Sequence, residues 1–404
     1  MKMLVINAGS STLKFRLFKM PEEEILCTGI AERIGADKSS IQGTITINGT
    51  EQKIAHQQPV ADHAEAVRQI ARLLSHASHP VIKDPSEVEV VAHRVVHGGN
   101  FEEATLITQA VKEKIRQLFP FAPLHNPVSF RCIEVATAFF PAAQQVAVFD
   151  TAFHHHLPQV ASQYALPPSY YKNDQIRAWG FHGISHKYVT TQARTWLQKP
   201  DAKMISLHLG NGCSIAAVHG ERSLDTSMGF SPVSGLVMGT RSGDIDPSVI
   251  LHLITQHGFS TEYIDTLLNK QSGLLGLTGH SDMRDVHKAA AAGNPEAQFA
   301  LALYAYRIKK YIGSYMAVLN GLDALIFTAG VGEHDSAMRA MICSDLSFLQ
   351  ISLDPARNEQ PTTDIREIQD KKQPVKIMVI PTDEELEMAR QSRRFVNTQG
   401  NIQK

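Results

Sequence analysis

Three short turns in this sequence present backbone N–H groups in a pattern that suits phosphate oxygens. Asn7-Ala8-Gly9-Ser10-Ser11 ends the apolar run Met3–Ile6, Gly210-Asn211-Gly212 ends Met204–Leu209, and Ala329-Gly330-Val331-Gly332-Glu333 ends Ala324–Thr328. Glycine lets a backbone turn sharply and approach a ligand, so such turns form anion-binding concavities. Any one of them is equally an ordinary hairpin turn. Their recurrence after three apolar strands favours phosphate binding. No GxxxxGK[ST] string occurs, so the chain is not a P-loop protein.

Four side chains stand beside such features. Asp225 to Pro247, DTSMGFSPVSGLVMGTRSGDIDP, is a run of small and polar residues carrying the lone Arg241. Its irregularity predicts a long loop, and long ordered loops are usually functional. His93-Arg94-Val95-Val96-His97-Gly98-Gly99 follows the strand Val88–Val91. Arg94 at a strand end can clamp a carboxylate or phosphate through parallel hydrogen bonds, or form a surface salt bridge. Asp150 ends the apolar run Val146–Phe149 and is either a reactive carboxylate or a helix cap. His182 sits between Phe181 and Gly183, where a structural histidine is the commoner alternative. His154-His155-His156 suggests a metal, but three adjacent histidines cannot all face one ion in regular structure.

The elements that position these residues are legible in outline. Met3–Ile6, a glycine turn and Leu13–Phe18 read as strand, turn, strand. Met204–Leu209, Gly210-Asn211-Gly212 and Ser214–Val218 repeat the arrangement two hundred residues later, which suggests an internal duplication of fold. Ala64, Val67, Ile70, Ala71 and Leu74 space as one helix face. Phe299, Leu303, Tyr306, Ile308, Ile312, Tyr315 and Leu319 predict the face of a longer helix. Thr382-Asp383-Glu384-Glu385 reads as a capping box opening a helix with Leu386, Ala389 and Arg390, and the polar tail Thr398–Lys404 reads as frayed.

Bulk properties fit this picture. A chain of 404 residues, 43% hydrophobic and 20% charged, suits two domains or two packed lobes, with the best boundary near Asp150. Lys plus Arg is 39 against 40 for Asp plus Glu, which argues against nucleic acid as a partner. The nearest two of the four cysteines are 81 positions apart, so a disulfide framework or zinc site is not expected. Met3–Ile6 is too short for the core of a signal peptide, and no apolar run reaches the ~20 residues of a membrane span. A cytoplasmic protein without membrane partners is the expectation.

Taken together the motifs are more specific. NAGSSTLKF (Asn7–Phe15), HRVVHGG (His93–Gly99), APLHNP (Ala122–Pro127), VFDTAFH (Val148–His154), WGFHGISH (Trp179–His186), HLGNGCS (His208–Ser214), SDMRD (Ser281–Asp285), FTAGVGEH (Phe327–His334) and PTDEEL (Pro381–Leu386) resemble the acetate kinases, within the acetate and sugar kinase/Hsp70/actin superfamily. The resemblance runs from residue 3 to about residue 390. It implies an α/β protein of two ribonuclease-H-like, actin-like ATPase lobes with ATP in an interdomain cleft. The N-terminal lobe would take residues 1–150 plus 385–404. Residues 151–384 would form the nucleotide-binding and dimerisation lobe of a homodimer.

The resemblance also carries roles onto matching positions. Asn7 and Glu384 fall at magnesium positions; Glu385, as the N3 member of the capping box, is read as structural. Lys14 matches a nucleotide-phosphate contact. His208, Leu209, Gly210, Asn211 and Gly212, with Asp282, Met283 and Arg284 and with Gly330, Val331, Gly332, Glu333 and His334, match the ATP-binding segments. Arg94 matches the substrate-carboxylate arginine, and Val96, Leu124, Phe181 and Pro232 the small pocket around an acyl methyl. Asp150 matches the catalytic aspartate, and His182 and Arg241 the groups that stabilise the transition state. The implied cofactor is Mg²⁺, with Mn²⁺ as a substitute and ATP/ADP as co-substrate.

The chemistry is coherent with that assignment. A substrate carboxylate with a pKa of roughly 4–5 is already anionic at neutral pH and needs little general-base help. The difficulty is bringing two anions together, so positive charge and positioning matter most; an arginine so placed contributes about 10³–10⁵ in rate in related phosphoryl transfers. Direct in-line transfer to acetate, giving acetyl phosphate and ADP, is the expected reaction. Asp150 is expected to position a partner. Propionate or another short carboxylate is the alternative acceptor, and a non-catalytic actin- or Hsp70-like ATPase is the alternative class. His334 and Asp383 stand where asparagine is common in the family, Thr12 where serine is and Ile184 where threonine is.

Overall fold

The computed structural model describes residues 1–9, 11–47, 50–56, 59–76, 80–361 and 363–402. Ser10 of the first turn and Gln403 and Lys404 of the tail therefore lie outside the described residues. The chain divides into two compact units, Met1–Ala152 with Asp383–Lys404, and Phe153–Thr382.

The first unit is built on an eight-stranded sheet. Its strands are β1 (Lys2–Ala8), β2 (Leu13–Lys19), β3 (Glu24–Glu32), β4 (Ser40–Ile47), β5 (Thr50–His56), β6 (Val88–Val95), β7 (Thr105–Leu106) and β8 (Gln144–Phe149), in the order β5-β4-β3-β2-β1-β6-β8-β7. The strand at its centre is buried on both faces, which is why it reads as a continuous apolar run rather than an alternating one. Leu4, Ile6, Leu13 and Phe15 join Val67, Ile70 and Leu74 of the helix His63–His76 in one core cluster. The C-terminal helix Glu384–Ile402 packs against β1, β6 and β8.

The second unit holds β9 (Lys203–Leu209), β10 (Cys213–His219), β11 (Arg222–Thr226), β12 (Ala324–Thr328), β13 (Arg366–Glu367) and β14 (Lys376–Val379), ordered β11-β10-β9-β12-β14-β13. Its first five strands repeat the scheme of β3-β2-β1-β6-β8. In both units an antiparallel meander of three strands is followed by two strands parallel to the first. The duplication expected from the two strand–turn–strand repeats is therefore present at the level of topology.

Four local expectations need correction. The third turn, 329–333, is wound into the helix Ala329–His334. Asp225 lies on β11, so the long loop starts after Thr226. The helix Pro295–Leu319 turns Ala297, Ala300, Leu301, Tyr304, Ala305 and Ile308 inward along its first half and leaves Phe299 and Tyr306 exposed. Leu301 and Tyr304 are buried there beside the alanines, so the buried stripe of the first half is rotated from the one expected. The C-terminal helix is capped by Asp383, whose Oδ1 accepts from the Leu386 N–H at 2.9 Å, and it continues to Ile402 instead of fraying at Thr398. Thr382 is not the cap: its hydroxyl meets Ser185 Oγ at 2.9 Å. Among the described residues no helix is long and apolar enough to cross a membrane.

Candidate active site

In the first unit, parallel register carries the reactive groups to one edge of the sheet. Ile6 of β1 is level with His93 of β6, and Val95 of β6 with Phe149 of β8, so Asn7, Arg94 and Asp150 follow at adjacent carboxyl ends. Ligands of open α/β sheets bind at such ends. Arg94 Nε donates to Asp150 Oδ1 at 3.0 Å and Nη2 to Oδ2 at 2.7 Å, while Nη1 donates to Asn7 Oδ1 at 3.1 Å. Asp150 thus faces an arginine. Lys14, paired with Asn7 in the β1–β2 register, is exposed at the same end.

Asn7 uses its other end for the C-terminal helix. Its Nδ2 donates to Glu384 Oε2 at 3.0 Å and to Glu385 Oε1 at 2.7 Å. The residue set aside as a capping partner, Glu385, therefore belongs to the same constellation, and the capping error had hidden it. Two carboxylates around one amide are the hard oxygen donors that Mg²⁺ prefers, so this chain's residues fit such an ion. Asp383 does not add free charge beside them, because Arg16 Nη1 holds both its oxygens at 2.8 and 2.7 Å.

The segments named for a small apolar pocket are divided between the units. Val96 is buried where β6 ends, and Leu124 is 40% exposed in the turn before the helix Asn126–Phe139. Asn126 ties these two together, accepting from His97 N at 3.0 Å and donating to His97 O at 2.9 Å. Gly98 must be glycine, since a Cβ there would lie 2.6 Å from the Phe149 ring. Phe181 is buried and Pro232 half-buried in the second unit.

In the second unit, His182 occupies the left-handed region, φ 55° and ψ 24°, as the residue preceding the helix Gly183–Leu197. Its ring stacks on His208 with centroids 4.2 Å apart. Arg241 approaches the same place: a Cβ built on Gly212 would lie 3.4 Å from His182 Cε1 and 3.5 Å from Arg241 Nη1. Gly212 thus keeps open a space bounded by an imidazole and a guanidinium. Arg241 donates to Pro232 O at 3.3 Å and has no carboxylate partner among the described residues. Burial pulls its pKa down, opposed by Cys213. A cation in that position is a receptor for an anion.

A cavity of about 840 Å³ lies beside these groups in the second unit. Gly210, Asn211, Asp282, Met283, Arg284, Gly330, Val331 and His334 line it, joined by Leu274, Ser281, His287, Asp335, Ser336 and Ala337, which sequence reasoning did not single out. The volume is in the range of sites for drug-sized ligands, which suits a nucleoside. The remaining residues of the matched segments sit deeper. Leu209 is fully buried in β9, and a Cβ built on Gly332 would lie 3.3 Å from the Phe327 backbone. Glu333 takes the N–H groups of Ala329 at 2.8 Å and Thr382 at 3.0 Å. Asp282 caps the helix Met283–Ala291, and its bonds to Arg284 hold its pKa down at about 2. His334, the departure from asparagine, is largely exposed and 3.9 Å from Glu333.

Two ribonuclease-H-like sheets, one with a carboxylate-and-arginine cluster and the other with an anion-receptive histidine–arginine pair beside a nucleoside-sized cavity, define the actin-like class of ATP-dependent phosphotransferases. The sequence profile of the acetokinase family matches residues 2–390. Acetate kinase of Flavobacterium johnsoniae is 48% identical over 97% of this chain and 98% of its own length. Among solved structures, Porphyromonas gingivalis acetate kinase superposes with a TM-score of 0.88 at 38% identity, covering 98% of this chain and 99% of its own. A propionate kinase from Francisella tularensis gives 0.89 at 40% identity, covering 96% and 98%. The chain belongs to the acetokinase family.

Proposed function

We propose that this protein transfers the γ-phosphoryl group of ATP to acetate, reversibly, giving acetyl phosphate and ADP. The carrying observation is the state of Arg94. A guanidinium has five N–H donors. Three are engaged by Asp150 and Asn7, leaving one on each terminal nitrogen for a substrate carboxylate. Asp150 positions the arginine and Val96 gives it an apolar neighbour.

In this reading the first unit binds the acyl group and the second binds the nucleotide in the 840 Å³ cavity. His182 and Arg241 donate to the equatorial oxygens of the phosphoryl group as it passes in line from ADP to the carboxylate. Lys14 meets nucleotide phosphate charge. Glu384, Glu385 and Asn7 would hold Mg²⁺, or Mn²⁺ in its place, which when bound neutralises phosphate charge. The family reading further assigns a cytoplasmic homodimer formed through the second unit. The test is trapping with hydroxylamine in the presence of MgATP. Hydroxamate from acetate supports the reading; none from acetate, propionate or butyrate overturns it.

Propionate remains a second reading because a propionate kinase is among the similar structures. One methylene changes specificity by only ~1–3 kcal/mol. The ratio of kcat/KM for the two acids decides between them.

A further inference from the structure

The face of the second sheet that meets the helix Gly183–Leu197 changes character along its length. At one end Met204, Ala216 and Val218 pack with Val189 and Ala193 in an apolar cluster. Two-residue periodicity continues the same face to Ser206 and His208 on β9 and to Ser214 on β10, which pairs with His208. Ser206, Ser214 and His186 are fully buried. They form an unbroken chain: Ser206 Oγ to His186 Nδ1 at 2.9 Å, His186 Nε2 to Ser214 Oγ at 2.7 Å, and Ser214 Oγ to His182 Nδ1 at 3.0 Å.

We infer that Ser214, directly, and Ser206, through His186, are positioning residues that fix the tautomer of His182 so that its Nε2 carries the proton. The inference rests on the reading of His182 as a phosphoryl contact. A neutral imidazole has one donor and one acceptor and a hydroxyl has one proton; with the fully buried Ser214 spending its proton on one of its two imidazole partners, the chain is polarised in one of two ways. In one, Ser206 donates to His186 Nδ1, His186 Nε2–H donates to Ser214, and Ser214 donates to His182 Nδ1. His182 then presents Nε2–H. In the other, every bond reverses and His182 presents a lone pair, which repels a phosphoryl oxygen. Only the first serves an anion. His186 is neutral as this requires: burial first, then the neighbouring His154 and His208, place its pKa well below the ordinary value. His154 shows the same polarity beside it, with Nε2 on the Phe181 carbonyl at 3.2 Å and Nδ1 on Ser223 Oγ at 2.8 Å. A carbonyl can only accept, so Nε2 of His154 carries its proton.

The test is long-range ¹H–¹⁵N correlation of His182 in the full-length enzyme, with kinetics of Ser214→Ala, Ser214→Thr and Ser206→Ala. The wild type is expected to show the Nε2–H tautomer, and Ser214→Ala to show a mixture. Ser214→Ala should lose at least about tenfold in kcat, as wrong-tautomer histidines do, with an unchanged KM for ATP. Ser214→Thr, which keeps the hydroxyl, should recover most of that loss. An Nδ1–H tautomer in the wild type, or an unaltered tautomer in Ser214→Ala, overturns the inference. Should Ser214→Ala fail to fold, the wild-type spectrum and Ser206→Ala still decide it. Full turnover in His182→Ala would instead remove the phosphoryl role while leaving the tautomer measurable.

Discussion

Arg94 and Asp150 meet side-on, at 3.0 and 2.7 Å, with side chains only 15% and 2% exposed. Burial alone would lower the arginine's pKa; Asp150, and then Glu384, outweigh it and raise it. Asp150 is the first of the carboxylates that offset the burial of Arg94. Breaking a buried pair by removing one partner typically costs about 3–5 kcal/mol, so Asp150→Ala should lose stability on that scale. The double variant Arg94→Ala/Asp150→Ala should lose less than the two single losses combined. Urea denaturation of all three variants measures the coupling, and simple additivity would show that the pair is not a unit.

Arg241 is the opposite case, a half-buried cation with no carboxylate partner among the described residues. Arg241→Ala should reduce turnover by about a hundredfold or more, as loss of a transition-state arginine does. Arg241→Met should be as inactive yet at least as stable as the wild type, because an apolar chain replaces an uncompensated charge. Thermal denaturation beside steady-state kinetics checks both. A destabilised, active Met variant would place Arg241 among structural residues.

Asp383 is engaged twice, as the cap of the C-terminal helix and as the partner of Arg16. Losing a cap costs ~1 kcal/mol and a partly exposed ion pair up to ~1 kcal/mol. Asp383→Ala should therefore lose about 1–2 kcal/mol. Asp383→Asn, which keeps a capping oxygen, should lose less than half of that. Because Arg16 already compensates this carboxylate, Asp383→Asn should leave the Mg²⁺ concentration dependence of turnover unchanged. A marked shift in that dependence would mean that Asp383 contributes to the ion's environment.

These cases also show what the sequence could and could not disclose. The strands β1, β2, β9, β10 and β12 were visible because apolar runs end at glycine, a signal carried within a few residues. Arg94 and Asp150 are visible as polar residues at the ends of such runs, His182 as a histidine between an aromatic and a glycine, and Arg241 as the lone cation of a long irregular loop. Glu385 is hidden in the sequence because Thr382 and Asp383 are both good caps, and the capping-box pattern falls one residue before the true cap. What decides between them is Arg16, 367 positions away. The serines of the His182 chain were invisible for a related reason: only the β9–β10 register puts Ser206 and Ser214 on one face. Phe299 and Tyr306 mislead because their size suggests burial, whereas Leu301 and Tyr304, on a neighbouring stripe of the same helix, are the residues that face inward.

Asp225 gives a prediction for pH. It lies on β11, accepting from its neighbour Thr226 N at 2.7 Å, and burial raises its pKa to about 6 from 3.8. The folded protein therefore holds this proton where the unfolded chain has released it. Asp225 contributes most to stability below pH 3.8, and that contribution is lost as pH rises through about 6. Above that pH the ionised carboxylate is a cost that an amide does not carry. Asp225→Asn keeps an acceptor for the Thr226 N–H and removes the titration. It should match the wild type near pH 4 and exceed it at pH 7.5 by on the order of 1–3 kcal/mol. Denaturant unfolding of both proteins from pH 4 to pH 8 measures the difference directly, and parallel pH dependences would show that Asp225 does not titrate in this interval.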